Sequence, residues 1–159
     1  MKPLITGMSH LAFNVADMSR ALDFYCNILG LEKVFEIIIP ENIAEIMPGH
    51  PVAALAGKPG ITYLQIAPGQ FVELFYPKPD TDLLSGGPNY EKIGYAHLSL
   101  LVDDIQTAAE TLKNKGVVID SDITKGPDNT WQFWIKDPDG NRIELMQYTE
   151  KSFQVVFVK

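Results

Sequence analysis

Apolar and polar positions change period along this chain in an order that occurs twice. A strand-like run from Gly7 to Val15 leads into Met18, Ala21, Leu22, Tyr25, Ile28 and Leu29, which recur at the spacing of one helix face. A second run from Gly94 to Val102 leads into Ile105, Ala108, Ala109 and Leu112, again at helical spacing. Asp17 or Ser19 offers a side-chain oxygen to cap the first helix, and Gly30 and Gly116 stop the two runs. Helices are therefore predicted from Met18 to Leu29 and from Ile105 to Lys115. β-branched and aromatic residues then predict strands at Glu32 to Ile39, Ile61 to Ile66 and Gln70 to Tyr76. In the second half they predict strands at Val117 to Ile119, Thr130 to Ile135 and Arg142 to Tyr148. The last two flank Asp137-Pro138-Asp139-Gly140, where proline presets φ and glycine supplies the positive φ that reverses the chain, so they read as a hairpin.

Each half is thus βαβββ, and the fold class is α+β with two tandem modules. Residues 1–80 form the first module, 81–93 a linker overlapping the Pro- and Gly-rich stretch Pro77 to Tyr90, 94–150 the second module and 151–159 a tail. Pro40 to Gly60 is too long for a tight turn and is a candidate lid or pocket wall. The tail Ser152 to Val158, rich in Val and Phe, suits an edge strand or a subunit contact.

Composition narrows the class. The 159 residues are 46% hydrophobic and 21% charged, ordinary for a globular protein. Against 20 Asp and Glu stand 13 scattered Lys and Arg, a formal charge of −7, which disfavours nucleic acid and anionic membrane as partners. The N-terminus has no basic segment followed by an apolar run, and no stretch approaches the length of a membrane span, so a cytoplasmic location is expected. Cys26 is the only cysteine, which excludes an internal disulfide and a thiolate cluster; its place beside the first helix's apolar face suits a small buried hydrophobe.

The repeat also carries chemistry. His10-Leu11-Ala12-Phe13-Asn14-Val15-Ala16-Asp17-Met18 is matched by His97-Leu98-Ser99-Leu100-Leu101-Val102-Asp103-Asp104-Ile105. Gly69-x-x-Val72-Glu73-Leu74 is matched by Gly140-x-x-Ile143-Glu144-Leu145, so His opens each copy and Glu closes it. Glu144 stands mid-strand among large apolar neighbours, where an unpartnered polar group costs roughly 2–7 kcal/mol. Taken singly, each residue has an ordinary structural reading. Their shared placement is what raises them: if the two half-sheets face each other about a pseudo-twofold axis, His10, Glu73, His97 and Glu144 meet at one point. Two imidazoles and two carboxylates around a point form a site for a borderline-to-hard divalent ion.

These motifs resemble the vicinal oxygen chelate superfamily, the fold of glyoxalase I. The resemblance is carried by His10 with Val15-Ala16-Asp17-Met18, Leu22-x-Phe24-Tyr25-x-x-Ile28-Leu29-Gly30, Phe71-Val72-Glu73-Leu74, His97 with Val102-Asp103-Asp104-Ile105, and Asp137 to Leu145. It implies paired βαβββ modules forming a U-shaped metal-binding pocket, with His10, Glu73, His97 and Glu144 as ligands to one divalent ion, Ni, Co, Zn, Mn or Fe. It further implies a lyase or isomerase acting through a metal-bound enediolate on a small-molecule substrate with vicinal oxygens, Glu144 as general base with Glu73 across the ion, and a homodimer. Two departures bear on the thiol rather than on the metal: Asn14 stands where glyoxalase I commonly has an arginine that grips glutathione, and Pro77 where an asparagine often helps. Asn14, Tyr63, Trp131 and Arg142 are the candidate substrate contacts. An extradiol dioxygenase built on His10, His97 and Glu144, an epimerase, and a non-catalytic drug-sequestering binder of the same superfamily are the alternatives.

Overall fold

The computed structural model describes residues 4, 5, 7–75 and 94–157; the predicted linker lies outside them. The chain divides into two compact units, Met1–Leu83 and Leu84–Lys159.

The first unit runs β1 (His10–Asn14), α1 (Met18–Leu22), β2 (Glu32–Ile38), α2 (Ile43–Ile46), β3 (Pro59–Ala67) and β4 (Gln70–Phe75). Its sheet has the order β1-β4-β3-β2, with β1 parallel to β4 and the other neighbours antiparallel. Strand alternation divides the sheet into two faces. Phe13, Thr62, Leu64, Val72 and Leu74 are buried, as are Met18, Ala21, Phe24 and Tyr25 of the helical segment. Burying a large apolar side chain contributes about 1.5–3 kcal/mol, so this face holds the unit together. His10, Asn14, Tyr63, Phe71 and Glu73 occupy the other face by the same alternation.

Asp17 caps α1, accepting from the Arg20 N–H at 2.9 Å. The predicted helix to Leu29 is regular only as far as Leu22; Asp23–Ile28 continues with wider π-helical turns, the Leu29 N–H reaching the Phe24 carbonyl at 2.9 Å. The wider turn rotates later residues out of α-helical register, so Phe24 and Tyr25 are buried while Ile28 and Leu29 are only half-buried. Pro40 to Gly60, expected as one long loop, instead holds α2 and a 3₁₀ turn at Pro51–Leu55, and Gly60 already lies in β3. Its ends are tied by Ile39 N–H to Lys58 O and Gly57 N–H to Ile39 O, both 2.9 Å.

The second unit repeats the plan with β5 (Leu98–Leu101), α3 (Ile105–Asn114), β6 (Thr124–Lys125), β7 (Trp131–Lys136) and β8 (Arg142–Gln147), followed by α4 (Phe153–Val156). The sheet order is β5-β8-β7-β6, with β5 parallel to β8. Leu98, Leu100, Phe133, Ile135, Ile143 and Leu145 are buried together with Ile105, Ala109 and Leu112 of α3. The Gln147 side-chain carbonyl accepts from the Ile105 N–H at 2.9 Å, fastening the start of α3 to the end of β8.

Two expected elements differ. Val117 to Ile119 is not a strand; the fourth strand forms at Thr124–Lys125, because the Gly126 to Thr130 turn sets its pairing with Trp131 and Gln132. The tail folds as the short α4 rather than a strand. Side-chain bonds hold it: Ser152 Oγ donates to the Asn129 carbonyl at 3.0 Å and accepts from the Thr149 N–H at 2.7 Å, while Gln154 Nε2 donates to Asp128 at 2.6 Å. No helix among the described residues is long and apolar enough to cross a membrane.

The predicted β7–β8 hairpin is present, and a buried carboxylate closes it. Asp137 accepts from the Asp139 N–H at 2.9 Å and from the Asn141 N–H and Nδ2 at 2.8 Å, while Gly140 takes a φ of 85°. Asp137→Ala removes all of these acceptors and should cost about 2–3 kcal/mol in urea denaturation. Asp137→Asn keeps Oδ1, which serves both backbone donors, and should lose roughly half as much.

Candidate metal-binding pairs and their surroundings

In each sheet the glutamate lies on an inner strand, next to the strand that carries or follows the histidine. β4 runs between β1 and β3, so Glu73 has Ala12 on one side and Tyr63 directly opposite on the other. β8 runs between β5 and β7, and Glu144 has Ser99 and Trp134 in the corresponding positions. Both carboxylates are on the face away from the apolar core, yet each residue is only 6% exposed.

Two imidazole–carboxylate pairs result, one per unit. His10 Nε2 lies 3.1 Å from Glu73 Oε2, and His97 Nε2 lies 3.6 Å from Glu144 Oε2. The first separation is within hydrogen-bond reach and the second is beyond it. Two donors each about 2.1 Å from one ion stand about 3.0 Å apart at a right angle and about 3.4 Å apart at the tetrahedral angle. Within each pair the two groups are therefore spaced as neighbouring donors to a divalent ion, and imidazole with carboxylate is a donor set such an ion accepts. Among the described residues no group of three or more His, Cys, Asp or Glu side chains is placed to hold a metal ion, so each unit presents a pair.

The pairs differ in their support. Glu73 Oε1 accepts from the Tyr63 hydroxyl at 2.7 Å, and Ser9 Oγ stands 3.3 Å from His10 Nδ1. That hydrogen bond, then burial, then the Glu73 charge push the Tyr63 phenol up from its ordinary value. In the second unit no hydrogen bond among the described residues holds the Glu144 carboxylate, and His97 Nδ1 is buried without a partner. Trp134 stands edge-on to His97 at 4.8 Å, and the Arg142 guanidinium lies 4.1 Å above the Trp134 ring.

Of the substrate contacts expected from sequence, Tyr63 and Arg142 share a face with the glutamate of their own unit, and Asn14 lies at the exposed end of β1 on the His10 face. Trp131 is not brought to Glu144. Alternation puts it with Phe133 and Ile135, where Lys125 lies 5.8 Å over its ring, and Trp134 takes the place beside the pair. The hairpin contained the signal: with Lys136 opposite Arg142, the residue opposite Glu144 is Trp134. His50 accepts the Val52 N–H at 3.2 Å and so serves the 3₁₀ turn that follows it. Burial pushes the Cys26 thiol up, only partly offset by Lys33, which suits a structural rather than a nucleophilic cysteine.

Comparison with known proteins agrees with this architecture. The profile of the Glyoxalase/Bleomycin resistance protein/Dioxygenase superfamily matches residues 7–145. A probable lactoylglutathione lyase of Synechocystis sp. is 28% identical over 144 residues, covering 89% of this chain and 95% of that protein. A 2-epi-5-epi-valiolone epimerase of Actinomyces sp. is 27% identical over 151 residues, covering 91% of this chain and 80% of that protein. TnmS3, an antibiotic binding protein from Streptomyces sp. CB03234, shares the fold with a TM-score of 0.63 at 21% identity, covering 93% of this chain and all of that one. The profile match spans both βαβββ units and all of His10, Glu73, His97 and Glu144: the chain belongs to the glyoxalase/bleomycin resistance/dioxygenase, or vicinal oxygen chelate, superfamily.

Proposed function

We propose that the protein is a metal-dependent lyase or isomerase of the glyoxalase I type, acting on a small substrate with oxygens on neighbouring carbons. One observation carries this reading. Glu144 is a mid-strand carboxylate, 6% exposed and, among the described residues, without a hydrogen bond, and it faces an imidazole at 3.6 Å whose other nitrogen is buried with no partner among them. A carboxylate so placed is costly unless a positive charge meets it. His10, Glu73, His97 and Glu144 are the residues proposed to hold the ion. When bound, the ion supplies Lewis acidity that polarises a carbonyl and makes the adjacent C–H more acidic.

The side chains then divide the work. Glu144, the less tethered carboxylate, takes a proton from one carbon and returns it to the neighbour. His10 and His97 would supply nitrogen donors to the ion. Trp134 lies opposite Glu144 and Tyr63 opposite Glu73, so each pair has an aromatic ring on one side. Asn14, rather than an arginine, at the end of β1 supports a substrate other than a glutathione adduct, whereas the similarity to a protein named probable lactoylglutathione lyase supports the hemithioacetal class.

A second reading has its own observation. Phe35, Tyr63 and Phe71 form an aromatic cluster on the Glu73 face, with Phe35 stacked on Tyr63 at 4.5 Å and Phe71 edge-on at 5.8 Å. Such a surface suits a ring-bearing ligand held without chemistry, as the shared fold with an antibiotic binding protein permits.

Turnover distinguishes the two. Protein loaded in turn with Ni, Co, Mn, Zn and Fe should convert a hemithioacetal, a 2-oxoaldehyde or another vicinal-dioxygen substrate, and Glu144→Gln should lower kcat by about 10²–10⁴ with KM little changed. Turnover that survives Glu144→Gln at native kcat would remove Glu144 as the base. Absence of turnover with every metal, together with tight binding of an aromatic ligand, would leave the binding-module reading.

A further inference from the structure

We propose that Tyr63 is a positioning residue that makes Glu73 the fixed carboxylate of the site and thereby leaves Glu144 as the one free to move. This assignment rests on the metal-dependent reading above and concerns which of its two carboxylates is immobile.

Glu73 has both oxygens committed. Oε1 accepts from the Tyr63 hydroxyl at 2.7 Å and Oε2 faces His10 Nε2 at 3.1 Å, so any rotation of the carboxylate breaks one contact or the other. Tyr63 is itself held. Its ring is stacked on Phe35 at 4.5 Å with only 18° between planes, and it meets His10 and Phe71 edge-on, each at 5.8 Å. A ring pinned on three sides loses little further freedom when its hydroxyl engages an acceptor, so the bond is preorganised. Ser9 Oγ, 3.3 Å from His10 Nδ1, extends the same support to the histidine.

The equivalent position in the second sheet has a different residue. Trp134 lies opposite Glu144 as Tyr63 lies opposite Glu73. An indole offers no hydroxyl, and the ring is engaged by His97 at 4.8 Å and by Arg142 at 4.1 Å. Among the described residues, Glu144 consequently has no tether matching Tyr63, and His97 Nδ1 has none matching Ser9. The repeat thus keeps its two pairs while one register position separates their roles: tyrosine where the carboxylate must stay, tryptophan where it must detach.

Tyr63→Phe tests this, because it keeps the ring and its stacking and removes only the hydroxyl. Full-length native and variant proteins are titrated with Co(II), reading affinity and the visible d–d absorption, with apo-protein Tm as the check on folding. The expected result is a Co(II) Kd raised about 10- to 100-fold and an altered d–d band, at an unchanged Tm. If Tyr63→Phe lowers Tm, Tyr63→Trp, which copies the second unit at this position, is titrated in its place with the same expectation. Native protein that binds Co(II), with a folded variant matching it in Kd and spectrum, overturns the role of Tyr63 and leaves the metal reading standing. Native protein that takes up no Co(II) overturns both.

Discussion

A carboxylate in the middle of an inner strand governs this molecule. Glu73 and Glu144 lie within runs of Val, Leu and Ile whose alternate members build the core, and strand periodicity sends the glutamates to the other face. There each is 6% exposed, and a charge so shielded needs a partner. The parallel pairing of β1 with β4 and of β5 with β8 brings that partner, since the strand beside each glutamate carries or follows a histidine. The apolar core and the polar pair are two consequences of one register. A one-residue slip would turn the core residues to the other face and put the glutamate among the apolar helix contacts, so the packing that stabilises each sheet also fixes its pair.

Duplication supplies the pairs, and divergence gives them different surroundings. Glu73 is engaged on both oxygens, whereas Glu144 stands beside an imidazole with no hydrogen bond among the described residues. Ligation alone would be served by two identical halves. In the proposed function, proton transfer calls for a carboxylate that can detach and return, and the less tethered Glu144 is the one assigned that role. Around the second pair, the Trp134 ring and the Arg142 guanidinium add an apolar wall and a positive charge that the first unit lacks at those positions, where Tyr63 and Phe71 stand.

Much of this could be read from residue order. The two βαβββ repeats, the hairpin at Asp137 to Gly140 and the matched His and Glu positions follow from periodicity and turn chemistry, because alternation and Gly placement act over a few residues. The departures arose where side chains bond to distant backbone. Asn129 accepts from Ser152 and Thr149, and Asp128 from Gln154, so the tail is a short helix despite its β-prone Val and Phe. The π-helical widening after Leu22 and the short strand at Thr124–Lys125 likewise have no local sequence mark. Trp134 was within reach, since counting back from the turn places it opposite Glu144; Trp131 draws attention as an aromatic but lies on the other face. The Tyr63 hydroxyl was not, because that bond depends on two strands meeting in one register.

The central claim is that these His and Glu residues serve an ion. Its most direct test is the metal content of the purified protein by elemental analysis, beside that of His10→Ala. The account predicts one divalent ion per site in the native protein and its loss in the variant. A native protein that holds none, even after reconstitution with Ni, Co, Mn, Zn or Fe, would contradict it and leave the paired residues as structural features of a ligand-binding fold.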